Sequence, residues 1–208
     1  AIQIAIVDLF ASWNIVSSVT VGHSSGEMAA AYAAGLVSAP EAMLAAYYRG
    51  YALKRHAPPG GSMLAVGLGP AEVADMFPDL GSEIQLACEN SPSSVTLSGA
   101  VGAIERAKAV LDTQGTFARE LRTGQAYHSS HMTVVAQPFI EYLVKAFGNL
   151  GQEDLDWCRP LTRMVSSVSG AEITENEINE HYWAANLTSR VRFSDAVAVI
   201  GSAPDLER

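Results

Sequence analysis

Gly22-His23-Ser24-Ser25-Gly26 sets two adjacent serines between two glycines, with a β-branched stretch (Val16 to Val21) in front and an alanine-rich stretch behind. The spacing is G-x-S-x-G. On a strand–turn–helix junction this is a nucleophile elbow: the glycines admit a strained backbone and close packing of strand on helix, and the central serine, Ser24, is projected outward. The helix that follows points free N–H groups and the positive end of its dipole at a developing oxyanion, with the Ser25 N–H as a first donor. The plainer reading is a Gly/Ser turn before an alanine helix. A serine nucleophile needs a base. His23 lies inside the elbow and cannot easily reach back to Ser24; His56 sits beside Lys54 and Arg55 at what reads as an exposed helix end; His181 falls in a helical NEHYW stretch. His128 and His131 share QAYHSSHM, and one of them is the expected base. Spacing does not choose between them.

The elements that must position these groups follow from periodicity. Ala1 to Trp13 carries apolar residues at helical spacing. EMAAAYAAGLV reads as a helix with Gly35 as its C-cap, and the helix after it starts near Ser38 and Pro40. PPGGSM (Pro58 to Met63) punctuates the chain, and the texture then changes to β-α-β-β-α-β up to FARELRT. From AYHSSHM helices return, with a strand at RMVSSVSG and a helix over ENEINEHYWAANL. The expected fold is α/β: an α/β-hydrolase-like core with a parallel sheet (residues 1–61 and 126–208) and an inserted ferredoxin-like small subdomain (62–125). The chain opens on a helix and stops without an evident closing element, so we expect an excerpt from a longer polypeptide.

Composition narrows the function. Of the 208 residues, 49% are hydrophobic and 17% charged, enough for a sizeable core and unlike a disordered chain. The net charge of −9 argues against nucleic-acid binding, although a few placed arginines can still hold an anion. No apolar run approaches the roughly 18 residues of a membrane span. Cys88 and Cys158 are isolated, with no zinc-ligand spacing; both read as buried thiols of a reducing, cytoplasmic compartment.

GHSSGE, YYRG, PGGSMLAVG, ENSPSSVTLSG, AYHSSHM and YWAANLTSRVRF occur in this order over nearly the whole chain. Together they resemble the malonyl-CoA:acyl-carrier-protein transacylase family, most of all the acyltransferase domains of polyketide synthases of the large fungal reducing type, multidomain enzymes of secondary metabolism. The resemblance implies a Ser24–His128 dyad without a triad aspartate. It implies backbone carbonyls near Ala184-Ala185-Asn186-Leu187 orienting the imidazole, which brings the Asn186 region into the site. It implies that Arg49, 25 positions after Ser24, grips a malonyl carboxylate with two parallel hydrogen bonds. His23, Ser25 and Asn90 join the implied substrate-binding set, with a turn asparagine as the alternative reading of Asn90. Tyr127, just before His128, would crowd an α-methyl group, so malonyl is favoured over methylmalonyl. Arg192 is implied to serve structure near the site, and Arg190 stands where the family more often has proline. The implied substrate is malonyl-CoA, with no resident cofactor or metal. The implied partners are an acyl carrier protein bearing phosphopantetheine and neighbouring synthase domains such as a ketosynthase. The family's Gly-Gln-Gly element, part of its oxyanion pocket, has no counterpart before Ser24; loss of one such donor costs roughly 10²–10³ in rate. The rival readings are an α/β-hydrolase-type esterase or thioesterase and a non-catalytic scaffold fragment of a synthase.

Overall fold

The computed structural model describes residues 1–78, 81, 83–155 and 162–203. Helix α1 (Ile2–Ser12) matches the opening apolar spacing, yet none of its residues is buried, and Ile2, Ile6, Leu9, Phe10 and Trp13 are exposed. Strand β1 (Val19–Val21) is half the length expected. A single 3-10 turn, Ser24–Gly26, leads into α2 (Glu27–Ala33). Gly35 ends α2 with φ 76°; its N–H bonds to Tyr32 O and the Leu36 N–H to Ala31 O, a Schellman closure that a Cβ would oppose.

Ser38 starts α3 (Ala39–His56) with a capping box: its Oγ accepts from Glu41 N at 3.3 Å and its own N–H donates to Glu41 Oε2 at 2.7 Å. The buried residues of α3 are Ala42, Ala45, Arg49 and Ala52, one helical stripe with a guanidinium in the middle. This stripe faces α6 (Thr133–Phe147), whose Val135, Phe139 and Leu143 are buried in the same core as Met28, Tyr32, Trp183 and Leu187.

Between these helices lie β2 (Gly61–Val66), α4 (Pro70–Met76), β3 (Ile84–Ser91), β4 (Ser94–Ala100), α5 (Val101–Thr113) and β5 (Ala118–Leu121). The four strands form one antiparallel sheet in the order β3-β4-β2-β5. Leu64, Val66, Val73, Leu97, Ile104 and Leu111 form its own apolar core. After α6 come α7 (Gln152–Leu155), β6 (Arg163–Ser166), β7 (Ala171–Ile173), α8 (Glu180–Thr188) and α9 (Phe193–Gly201).

The second sheet corrects the expected parallel one. Its order is β1-β6-β7; β1 and β6 run parallel, but β6 and β7 are antiparallel. The reason is the short connection from Ser166 to Ala171, turned at Gly170 (φ 72°), which can only fold back as a hairpin. RMVSSVSG therefore supplies a strand and a turn, and β7 and α9 are additional to the expected elements. Helix α8 starts later than expected, at Glu180, where Asn179 Oδ1 caps the Tyr182 N–H at 3.0 Å.

The four-stranded sheet joins the rest of the chain where Val191, between α8 and α9, adds to the edge of β3: Glu89 N–H donates to Val191 O and Val191 N–H to Ala87 O, both at 2.8 Å. Arg190 reinforces this seam through an ion pair with Glu89 at 2.7 Å. Arg192 ties the start of α9 to the β6–β7 turn through Asp195 and Ser169 O, and bonds neither Ser24 nor His128. Cys88 is buried at the seam, and burial pushes its thiol up to about 12. Cys158 lies outside the described residues. Among the described residues no helix is long and apolar enough to cross a membrane.

Candidate active site

Ser24 and His128 come together from residues 104 apart: Ser24 Oγ lies 2.6 Å from His128 Nε2. Both sit in the left-handed backbone region, φ 54° for Ser24 and 58° for His128. Neither is glycine or asparagine, so each position is held by its surroundings, the kind of strain that collects at functional sites. Gly22 explains part of it. A Cβ there would fall 2.3 Å from Glu27 N, so strand and helix approach too closely for any side chain. Gly26 does not share that role: its φ is −64° and a Cβ would meet nothing within 4 Å.

The imidazole has one available tautomer. His128 Nδ1 lies 2.9 Å from Ser189 O, an acceptor only, so Nδ1 carries the hydrogen and Nε2 presents its lone pair to the Ser24 hydroxyl. The orienting carbonyl belongs to Ser189, beyond the Ala184–Leu187 stretch expected to supply it; within that stretch Leu187 O accepts from the His128 N–H at 3.2 Å. Burial, and then the positive charge of Arg49, push His128 down to about 3, against the Ser189 carbonyl's opposite pull. The imidazole is therefore neutral at physiological pH. His131 is not at the nucleophile; its Nδ1 is buried and, among the described residues, without a hydrogen-bond partner.

Arg49 reaches the site from the stripe of α3. Its Nη1 donates to Asn186 Oδ1 at 2.5 Å and its Nη2 points at Ser24 Oγ at 3.4 Å. It is 7% exposed, and burial lowers its guanidinium to about 10, partly offset by Tyr127 and Glu27, so it stays charged at neutral pH. Among the described residues no carboxylate forms an ion pair with it. A buried cation is ordinarily paired; this one has donors to spare beside a nucleophile.

The other expected residues fall on the rim or behind. Ser25 is exposed and, with Arg49, Met28, Ala42 and Ala46, lines a cavity of about 280 Å³. His128 lines another, of about 600 Å³, with Gln85, Leu86, Thr188 and Arg190. Ser25 and Arg49 thus border one opening and His128 another. Tyr127 is half-buried, packed against both the helical core and the seam, its ring centroid 6.5 Å from that of His128. His23 Nε2 bonds to Asn90 Oδ1 at 2.8 Å, Asn90 Nδ2 donates to Thr96 Oγ1 at 3.2 Å, and the His23 ring packs on Phe193. Those two residues therefore join the elbow to the inserted sheet. His56 is half-buried and bonds to the Tyr142 hydroxyl at 3.0 Å, not free at an exposed helix end; His181 is exposed.

Sequence reasoning missed Glu27. Its carboxylate is wholly buried directly behind the elbow, where it touches Asn186. An acid in the first turn of a helix reads as complementing the dipole, so its spacing carries no sign of burial. Ser189 was equally illegible, because a main-chain carbonyl has no residue signature.

A strained serine hydroxyl beside a neutral histidine, with a buried arginine that holds no ion pair among the described residues, is an arrangement able to carry an acyl group on the serine. The chain belongs to the acyl transferase domain family, whose model matches residues 1–206, and within it to the acyltransferase domains of polyketide synthases. It is 45% identical over 204 residues to the reducing polyketide synthase FUB1 of Gibberella moniliformis, covering 98% of this chain and 8% of that protein. It is 43% identical over 213 residues to the prosolanapyrone synthase of Alternaria solani, covering 99% of this chain and again 8% of the relative. Among solved structures, the acyltransferase domain from module 8 of the salinomycin polyketide synthase superposes with a TM-score of 0.82 at 26% identity, over 95% of this chain and 44% of that one. The loading acyltransferase of the avermectin modular polyketide synthase shares the fold, with a TM-score of 0.84 at 24% identity over 97% of this chain and 62% of that one.

Proposed function

We propose that this chain transfers malonyl units from malonyl-CoA to the phosphopantetheine thiol of an acyl carrier protein, as part of a longer polyketide synthase that also carries domains such as a ketosynthase. In this reading residues 1–61 and 126–208 act as a hydrolase-like core and 62–125 as a ferredoxin-like insert, in a cytoplasmic enzyme that needs no resident cofactor or metal. His128 Nε2 takes the Ser24 proton as Oγ attacks the thioester carbonyl. The oxyanion is held by donors at the elbow, the Ser25 N–H among them. The C–S bond then breaks, the imidazolium returns its proton to the departing CoA sulfur, and a malonyl ester remains on Ser24. The carrier thiol gives its proton to His128, attacks that ester, and Ser24 is released with its hydrogen restored.

The observation that carries the substrate class is Arg49. A buried guanidinium with spare donors, 3.4 Å from the nucleophile, matches a short acyl group ending in a carboxylate. An esterase acyl pocket has no use for such a charge. The cavity beside Arg49 would take the acyl group and the opening beside His128 the pantetheine arm; the Tyr127 ring favours malonyl over methylmalonyl. The test is Arg49→Ala with malonyl-CoA and acetyl-CoA as competing donors. The clamp reading expects malonyl loading on Ser24 to fall at least roughly 100-fold while acetyl loading holds or rises, as for loss of a charge-assisted pair. Equal loss with both donors, or no loss, would refute it.

A further inference from the structure

Glu27 is a buried carboxylate with no part in the chemistry above. Four donors converge on it: Ser167 N at 2.5 Å and Ser167 Oγ at 3.1 Å on Oε1, Tyr182 Oη at 2.6 Å and Asn186 Nδ2 at 2.9 Å on Oε2. Every partner donates, the pattern of an ionised carboxylate. The residue just after β6 and the body of α8 are thus pinned to the first residue of α2. The Asn186 amide is fully committed in turn. Its Nδ2 donates to Glu27 and, at 3.0 Å, to the carbonyl of the strained Ser24; its Oδ1 accepts from Arg49. Neither end of that amide can be exchanged, because the guanidinium only donates and the carboxylate only accepts.

We infer that Glu27 is a positioning residue for acyl selection: through Asn186 it fixes the Arg49 guanidinium and the Ser24 backbone in one frame. This rests on the carboxylate-clamp reading of Arg49. Glu27 and Arg49 do not touch, so the negative charge supports the cation without occupying the donors an incoming carboxylate needs. Replacing Glu27 by glutamine keeps the shape but turns one accepting oxygen into a donor, so an amide N–H₂ faces either the Asn186 and Tyr182 donors or the Ser167 N–H. In the first case turning Asn186 over only points its N–H₂ at the Arg49 donors; in the second the side chain is pushed off the Ser167 N–H and its hold on Asn186 shifts with it. The clamp is displaced either way.

The experiment measures single-turnover acylation of Ser24 by malonyl-CoA and by acetyl-CoA on the intact polypeptide, and reads the ratio of the two rates. Glu27→Gln is expected to lower the malonyl:acetyl ratio roughly 10- to 100-fold. In an Arg49→Met background the same change is expected to leave the ratio unmoved, since no clamp is left to displace. Asn186→Ala, which leaves Glu27 its Ser167 and Tyr182 partners, is expected to reproduce the ratio loss and serves if Glu27→Gln does not fold. Merely structural damage slows both donors alike. An unchanged ratio in Glu27→Gln, or in Asn186→Ala, while wild type prefers malonyl and Arg49→Met abolishes that preference, overturns the inference alone. A wild-type ratio insensitive to Arg49→Met overturns the clamp and this inference together.

Discussion

His128 sets the pH behaviour of the site. Its folded value of about 3 lies below its ordinary 6.5, so between those values the unfolded chain takes up a proton that the folded chain refuses. The stability linked to neutral His128 is complete above pH 6.5 and is lost as pH falls toward 3. Under the proposed function the same sign governs reactivity at Ser24. Labelling of Ser24 by an uncharged fluorophosphonate should keep its rate well below the usual histidine range. Arg49→Met removes a positive neighbour, so the acid limb should move to higher pH. A wild-type limb at 6 to 7, or a limb that Arg49→Met leaves in place, contradicts the assigned environment. At this scale the sequence was informative where side chains carry the chemistry. Ser24 was readable from G-x-S-x-G; His128 and His131 were separated only by the turn that buries one ring and aims it at Ser24 and leaves the other half-buried and away from it. The carbonyl of Ser189 and the buried face of Glu27 were not readable at all.

The elbow is where element geometry decides. Gly22 and Gly26 look equivalent in the motif, yet only Gly22 lies where a Cβ would meet backbone, 2.3 Å from Glu27 N and 2.4 Å from Glu27 Cα. Gly22→Ala should therefore cost at least about 3 kcal/mol, the range of a severe overpacking, or prevent folding. Gly26→Ala has open space and a helical φ, and should be neutral or stabilise by roughly 0.4–1 kcal/mol through the unfolded chain. Thermal unfolding of the two variants side by side checks this; equal Tm losses would contradict the contact argument. The helices were legible because caps and periodicity are local: the apolar spacing of Ala1 to Trp13, the Gly35 C-cap, and the start near Ser38 and Pro40. Strand direction was not, because β7 is set by the tight turn at Gly170 and by pairing with β6.

Across the whole molecule, the site is assembled from distant chain segments. Ser24 comes from the elbow, Arg49 from α3, His128 from the return out of the inserted sheet, and Ser189 and Asn186 from the end of α8. The inserted sheet is locked to this frame by Val191 on β3, by Arg190–Glu89, and by His23–Asn90 next to the nucleophile itself. Order along the chain announced the β-α-β-β-α-β insert, but the seam that joins it to the core depends on contacts between residues such as Glu89 and Arg190, 101 positions apart. The proposed function makes one expectation central, that Ser24 accepts a carboxylated acyl group. The most direct measurement is intact and peptide mass of the polypeptide after mixing with malonyl-, methylmalonyl- and acetyl-CoA together. A single malonyl adduct mapping to Ser24, and absent from Ser24→Ala, is the predicted result. No adduct on folded protein, or an acetyl adduct in preference to malonyl, would contradict it.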